Sequence, residues 1–301
     1  MLTDWVLAIE GTEAGRTAAM VLALVSAVAH ASFGAIQKGR HDPWMTRAAV
    51  DVCYLAVALP IAVFVLPWPE PALWPILAGV FVIHALYKWL MAMAYSRGAY
   101  SAVYPVVRGT GPLGTVAFAW VVFGETYAPG QWLGIALLSG GILALAAANV
   151  AAMEQVGRRT LRHALWIAFA TGLVTAGYTT YDAYGIRLAQ DPFVFLAWFF
   201  VVDGLLFPIL GVVWYRRMAE PPALGPLMLR GALGAMTALL SFGAVMLATR
   251  LDKVGEAAAL RETSVVFAAL IGWIFLGERI GPVRAGLMVV IGLGAVLVEF
   301  G

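Results

Sequence analysis

Along the chain, apolar side chains come in long unbroken runs and polar ones in short gaps between them. Runs near 20 residues, the length of helix that crosses a ~30 Å hydrocarbon core, fall at about 17–36, 46–66, 73–96, 99–123 and 129–150. After a polar break around Glu154 to Arg162 they resume near 164–187, 192–215, 224–249, 254–276 and 282–300. Breaks such as Pro67-Trp68-Pro69-Glu70-Pro71 and Glu220-Pro221-Pro222 join proline to charge, which ends helices. Runs of this length are not the roughly ten-residue alternating segments of a barrel, and helices satisfy their own backbone, as lipid demands. The pattern predicts an all-α integral membrane protein with ten transmembrane helices joined mostly by tight turns.

Composition agrees: 62% of the 301 residues are apolar and 12% charged, against roughly 45–50% and 25% in soluble domains. Mean hydropathy is +0.88, so the lipid bilayer is the solvent of the fold. A net charge of +2, with Lys and Arg gathered in short loops, offers no basic face to nucleic acid. The single cysteine, Cys53, has no intrachain disulfide partner and reads as a small buried hydrophobe. Asp4, Glu10 and Glu13 precede the first long run, unlike the basic start of a secretory signal, so no cleavage is expected.

Sliding the second half over the first exposes a repeat. At a shift of 153, Arg97 meets Arg250, Arg108 meets Arg261, Thr110 meets Thr263, Trp120 meets Trp273, and Gly124-Glu125 meets Gly277-Glu278. Met93/Met246 and Pro129/Pro282 also coincide. Shifts of 149 and 152 bring Leu24-Val25-Ser26-Ala27 over Leu173-Val174-Thr175-Ala176 and Val50-Asp51 over Val202-Asp203. These matches involve residue types scarce in the chain, which marks residues 17–150 and 161–300 as two copies of one unit. Five helices per copy is odd, so the second copy enters the membrane from the opposite face. That is an inverted-topology repeat, whose site lies between the copies near the midplane.

Ten helices as five plus five, with Phe123-Gly124-Glu125 closing the fourth and Leu276-Gly277-Glu278-Arg279 closing the ninth, resemble the drug/metabolite transporter superfamily, EamA-type. The resemblance covers nearly the whole chain. It implies a metabolite or drug permease of the cytoplasmic (inner or plasma) membrane, in which the first four helices of each half line a central cavity. The fifth and tenth lie at the periphery. Members of that family usually keep both termini inside, and here the charges disagree. Loops after the odd-numbered spans hold eleven basic residues, Arg47 counted among them, and the other side holds Arg16, Arg187, Arg250 and Lys253. Basic short loops stay cytoplasmic, so the count places the termini outside.

Several charges fall inside the spans. Arg108 sits about ten residues into the fourth, ~15 Å deep at 1.5 Å per residue, and Arg261 matches it in the ninth. An unpaired Arg at that depth costs at least ~2.5 kcal/mol, so both should face protein or water. They either hold an anionic group of the substrate or pair permanently with the repeat-related acids Asp51 and Asp203 as braces. Tyr100, Tyr104 and Arg108 recur every four residues and form one stripe, followed by Gly109, Gly111, Pro112 and Gly114, which suit a bent or closely packed helix. Tyr178, Tyr181 and Asp182 share a face of the sixth span, with Tyr184 a turn beyond. A carboxylate among rings suits an ammonium group; an interfacial aromatic cluster reads the same way. His84 and Lys88 share a face of the third span and could couple protons to transport or simply pack. His30 is similar. Glu256 and Glu262 flank Arg261; a deep carboxylate such as Glu262 is a proton carrier or a neutralising partner.

There is no Gly-x-x-x-x-Gly-Lys-Ser/Thr loop for ATP and no zinc helix or nucleophile elbow, which disfavours a pump or an intramembrane enzyme. No cofactor or metal is expected, and protons are a candidate coupling ion. Deep bases, deep acids and tyrosines together predict a secondary transporter of a small metabolite, first an amino-acid-like zwitterion, alternatively a lipophilic or quaternary cation, working by alternating access.

Overall fold

A computed structural model describes residues 2–37, 42–97, 100–151, 158–276 and 281–301. The short helix α1 (Leu2–Ile9) precedes twelve more: α2 (Glu13–Gln37), α3 (Pro43–Pro60), α4 (Leu73–Arg97), α5 (Tyr100–Phe123), α6 (Pro129–Ala151), α7 (Arg158–Leu188), α8 (Pro192–Asp203), α9 (Leu206–Arg217), α10 (Leu224–Leu251), α11 (Val254–Arg261), α12 (Ser264–Leu276) and α13 (Pro282–Phe300). No strand occurs among the described residues. Among them, nine segments are long and apolar enough to cross a membrane, with α8–α9 and α11–α12 each counting as one. The 31-residue α7 is long enough but is diluted by Thr171, Thr175, Thr179, Thr180 and Asp182. The protein is a multi-pass, all-helical membrane protein. Large apolar side chains such as Phe64, Trp120, Ile209 and Met236 point outward, while most deep charges are buried.

Starts are set by local chemistry. Asp42 and Asp191 each cap a helix whose first residue is proline, their carboxylates accepting from Trp44 and Met45 (2.9 and 3.0 Å) and from Phe193 (2.8 Å). Two of the runs expected as single helices are broken. The seventh divides at Gly204, right after Asp203, and the ninth at Glu262–Thr263, where hydrogen bonds tighten to the i→i−3 pattern. After Pro60 the second run continues as one π-helical turn, Ile61–Val65.

Packing is between halves as much as within them. α2 lies along α10 and α4 along α7; α5 lies against α7, as α11 and α12 do against α2; α6 pairs with α13. Small residues permit close approach: a Cβ on Gly114 would stand 2.7 Å from the Cβ of Ala176, and one on Gly134 would stand 2.6 Å from the Val298 backbone nitrogen. Thr171, Thr175 and Thr180 donate to carbonyls one turn back, so α7 carries its hydroxyls into the interior without orphaning them.

Candidate substrate site

Four helices deliver one buried ionic cluster. Arg47, Asp51 and Tyr54 lie on successive turns of α3, His84 and Lys88 on α4, Asp182 on α7, and Asp203 closes α8. Lys88 Nζ lies 2.7 Å from Asp51 Oδ2 and 2.9 Å from Asp203 Oδ1. It also donates to the Tyr54 hydroxyl (3.1 Å) and to the Asp203 carbonyl (2.5 Å), at a helix end whose last carbonyls lack intrahelical partners. Arg47 Nη2 lies 2.7 Å from Asp51 Oδ1 and 3.5 Å from Asp203 Oδ2, and Tyr54 donates to Asp203. His84 stands between two acids, Nε2 3.0 Å from Asp182 and Nδ1 3.3 Å from Asp203, with the Tyr178 and Phe199 rings centred 4.6 and 4.9 Å away.

A second cluster joins the halves. Arg108 of α5 places Nη1 3.0 Å from Glu262 Oε1, and Arg261 at the end of α11 reaches the same oxygen at 3.6 Å. The Arg108 guanidinium lies 5.2 Å from the Tyr104 ring centre. Two arginines thus share one carboxylate. The Nε atoms of both are buried and have no hydrogen-bond partner among the described residues.

Between the clusters is a small cavity lined by Tyr178, Thr179 and Asp182 of α7, Phe242, Val245, Met246 and Thr249 of α10, and Arg261. Its space, about 10 Å³, admits one water. Asp182 Oδ1, Thr179 Oγ1 and Arg261 Nε, all buried on cavity-lining residues, have no hydrogen-bond partner among the described residues. A carboxylate and a guanidinium therefore stand on one cavity that, at this size, holds no more than a water.

The structure corrects the bracing pairs read from the sequence. Arg108 pairs with Glu262 and not with Asp51, and Asp203 pairs with Lys88, His84 and Arg47 and not with Arg261. The reason is local: Asp51 already has Arg47 one turn away on its own helix, and the break after α11 swings Glu262 toward α5. Tyr178 and Asp182 share the cavity, whereas the Tyr181 hydroxyl packs over Gly79, so close that a Cβ there would sit 2.0 Å from it. Tyr184 is exposed. His30 does not line the cavity; it is buried on the α2–α10 seam with Nδ1 3.4 Å from Ser241 Oγ. Glu256 belongs to the terminus face, bonded by Gln131 (2.7 Å) and Lys253 (2.8 Å). The side chain of Tyr100, and Lys38, Arg40 and Gly277-Glu278-Arg279, lie outside the described residues. Sequence reasoning missed Arg47, Tyr54 and Tyr87. The four-residue spacing of Arg47 and Asp51 was an available signal, and so was the three-residue spacing of His84 and Tyr87, whose ring meets that of Tyr178 at 4.9 Å.

On the face where α2 begins, a latch ties the halves. Gly124 ends α5 in the left-handed region (φ 67°), turning Glu125 toward α11. Glu125 accepts from the backbone N–H groups of Val254 (2.8 Å) and Gly255 (3.2 Å) and from Tyr127 (2.6 Å), and Arg187 approaches it at 3.5 Å. Burial and then that carboxylate push the Tyr127 hydroxyl above its ordinary range.

Residues 162–300 match the EamA-like transporter family. A crystal structure of a protein superposes with a TM-score of 0.76 at 18% identity, over 94% of this chain and 98% of that one, which establishes a shared fold. No curated protein matches the chain.

Proposed function

We propose, from the premise that this chain is a membrane permease of the drug/metabolite transporter class, that it carries an amino-acid-like zwitterion by alternating access. The observation that supports the substrate class is the cavity on which Asp182 and Arg261 both stand with unpartnered atoms. Asp182 is suited to an ammonium group, with Tyr178 beside it. Arg261 and Arg108, which share only Glu262, are suited to a carboxylate. When the halves part and the cavity widens, Phe242, Val245 and Met246 offer an apolar wall to a side chain.

Alternating access is supported by the pairing of helices. Exchanging the halves turns α2 with α10 into α7 with α4, α5 with α7 into α11–α12 with α2, and α5 with α6 into α11 with α13; every one of these pairs packs. That is the behaviour of two inverted copies, with α7 as the first span of the second copy. His84, Lys88, Asp51 and Asp203 are then coupling and bracing charges, and the membrane is the cytoplasmic one.

The test is counterflow into proteoliposomes of purified protein, with labelled amino acids, amines and organic anions. Neutral amino acids should exchange, and analogues lacking either the amine or the carboxylate should not. Exchange of lipophilic or quaternary cations alone would establish the rival reading, in which the Tyr178 and Tyr87 rings and Asp182 do the binding. Absence of any flux would overturn both.

A further inference from the structure

We propose that an arginine clasp, Arg250 on the end of α7, shuts the terminus side of the cavity, and that its repeat partner Arg97 makes the matching clasp on the opposite face when this one opens. This rests on the alternating-access reading, names the residues that act at its two ends, and depends on no particular substrate.

The clasp lies directly beyond the cavity. Ile186 is one turn past the cavity-lining Asp182 on α7, and Arg250 follows the cavity-lining Thr249 on α10. The last carbonyls of a helix lack partners within it, and the negative end of its dipole favours a cation. Arg250 meets both needs, its Nη1 donating to the carbonyls of Ile186 and Ala189, the latter at 2.8 Å. Arg187 answers from α7: Nε donates to the Thr249 carbonyl (2.8 Å) and Nη2 to that of Asp252 (2.7 Å), at the end of α10. Each helix end thus holds the other's arginine. α2 packs along α10, and α4 along α7. The clasp crosses between these two pairs, which cannot part on the terminus side until its bonds break.

Release does not strand a charge. The Arg250 side chain is 5% exposed, and a guanidinium withdrawn from those carbonyls needs a counter-ion in so dry a place. Glu10 provides it, Oε2 lying 3.3 Å from Arg250 Nε. The corner that carries Glu10 is fixed: Gly11 is left-handed (φ 73°), and Thr12 Oγ1 accepts from the Gly15 N–H (3.1 Å) as α2 begins. Because α2 lies along α10, Glu10 stays with Arg250 when α7 withdraws.

The repeat supplies the other end. Exchanging the copies puts Arg97 in the place of Arg250, and the end of α2 in that of α7. The shift of 149 that aligns those two helices also lays Asp42-Pro43 over Asp191-Pro192, so the register holds through their ends. Yet the two faces differ. α10 packs against α7, whereas α4 and α2 have no comparable contact among the described residues. Arg97 is exposed and donates to the Met93 carbonyl of its own helix (3.4 Å). In inverted copies the second state is the first with the copies exchanged, and there Arg97 bonds the last carbonyls of α2 as Arg250 here bonds those of α7.

The reporter is Thr179→Cys in a Cys53→Ser background, probed without substrate by a membrane-impermeant maleimide in right-side-out and inverted membrane vesicles. Arg250→Gln should raise the reaction rate from the terminus face and lower it from the other, by about tenfold, as for loss of a hydrogen bond to a charged group. Arg97→Gln should do the reverse, and the double variant should return both rates toward the parent's. A rise from both faces together in Arg250→Gln means a merely structural arginine and overturns the gate, as do unchanged rates. Unchanged rates in Arg97→Gln overturn the alternation. If Arg250→Gln does not fold, Arg97→Gln, at an exposed position, decides alone. A cysteine reached from one face only, in the parent and in every variant, overturns alternating access and this inference with it.

Discussion

Lys88 touches both Asp51 and Asp203, so its loss leaves these two buried carboxylates with Arg47 as their one remaining permanent positive charge. Lys88→Met should cost about 3–5 kcal/mol. Adding Asp51→Leu should return about 1–3 kcal/mol of that, since Arg47 then balances Asp203; thermal unfolding in detergent measures both. A single-variant cost near zero would mean that the cluster is not formed. For Arg108, the single variant is informative, because Glu262 keeps Arg261 as a partner. Arg108→Gln should fold, since no lone charge is left buried. Its counterflow should fall more than ~10-fold, the loss expected for a charge-assisted contact of 1.5 kcal/mol or more; unchanged transport would make Arg108 a brace. Spacing in the sequence was enough to put His84 beside Lys88 and Tyr104 beside Arg108. It could not say which half supplies the partner, because periodicity fixes the face of a helix and not the helix opposite. Arg47 was misread as a loop charge for a related reason: it stands two residues inside the apolar run, and only its contacts reveal that it points inward.

Helix boundaries were legible where chemistry marks them, as at Asp42-Pro43 and Asp191-Pro192, and illegible inside runs. The breaks at Gly204 and Thr263 were not recognised, because the short polar groups there, Asp203-Gly204 and Arg261-Glu262-Thr263, read equally well as buried charges inside one continuous helix. Yet these breaks present Asp203 and Glu262 to the cavity region. The end of α5 is equally consequential. Glu125 caps the exposed N–H groups at the start of α11, so Glu125→Ala should remove a cap worth about 0.5–2 kcal/mol. It should also loosen the terminus face. A cysteine placed at Thr179 in a Cys53→Ser background should then react faster with a polar maleimide added from that face. Equal reactivity with and without Glu125 would show that the latch does not control access. Gly255 belongs to the same closure, since a Cβ there would meet the Tyr127 hydroxyl at 2.1 Å.

At the scale of the molecule, orientation follows from charge. With Arg47 counted in the interior, ten basic residues against four still favour the loops after the odd spans as cytoplasmic. Three of the four on the other face are tied to protein groups: Arg187 to Glu125, Arg250 to Glu10 and Lys253 to Glu256. A reporter fused after Gly301 should therefore read as external; a cytoplasmic reading would show that the loop charges do not set the orientation.

The polar character of α7 bears on how the chain is made. A helix centred on threonines and tyrosines, with Asp182 in its C-terminal half, is a poor substrate for the insertion machinery, for which an aspartate costs up to about 2.5–3.5 kcal/mol, the most at the middle of a span. By the time α7 leaves the ribosome, however, α4 and α5, the two helices it packs against and the source of His84, have already been synthesised. Biogenesis is then cooperative, with earlier helices solvating a later one. In a glycosylation-based insertion assay, residues 158–188 alone should integrate in a minority of molecules, and the same segment following residues 73–151 in a majority. His84→Ala in the longer version should lower that majority, since it removes the partner that makes Asp182 tolerable in lipid.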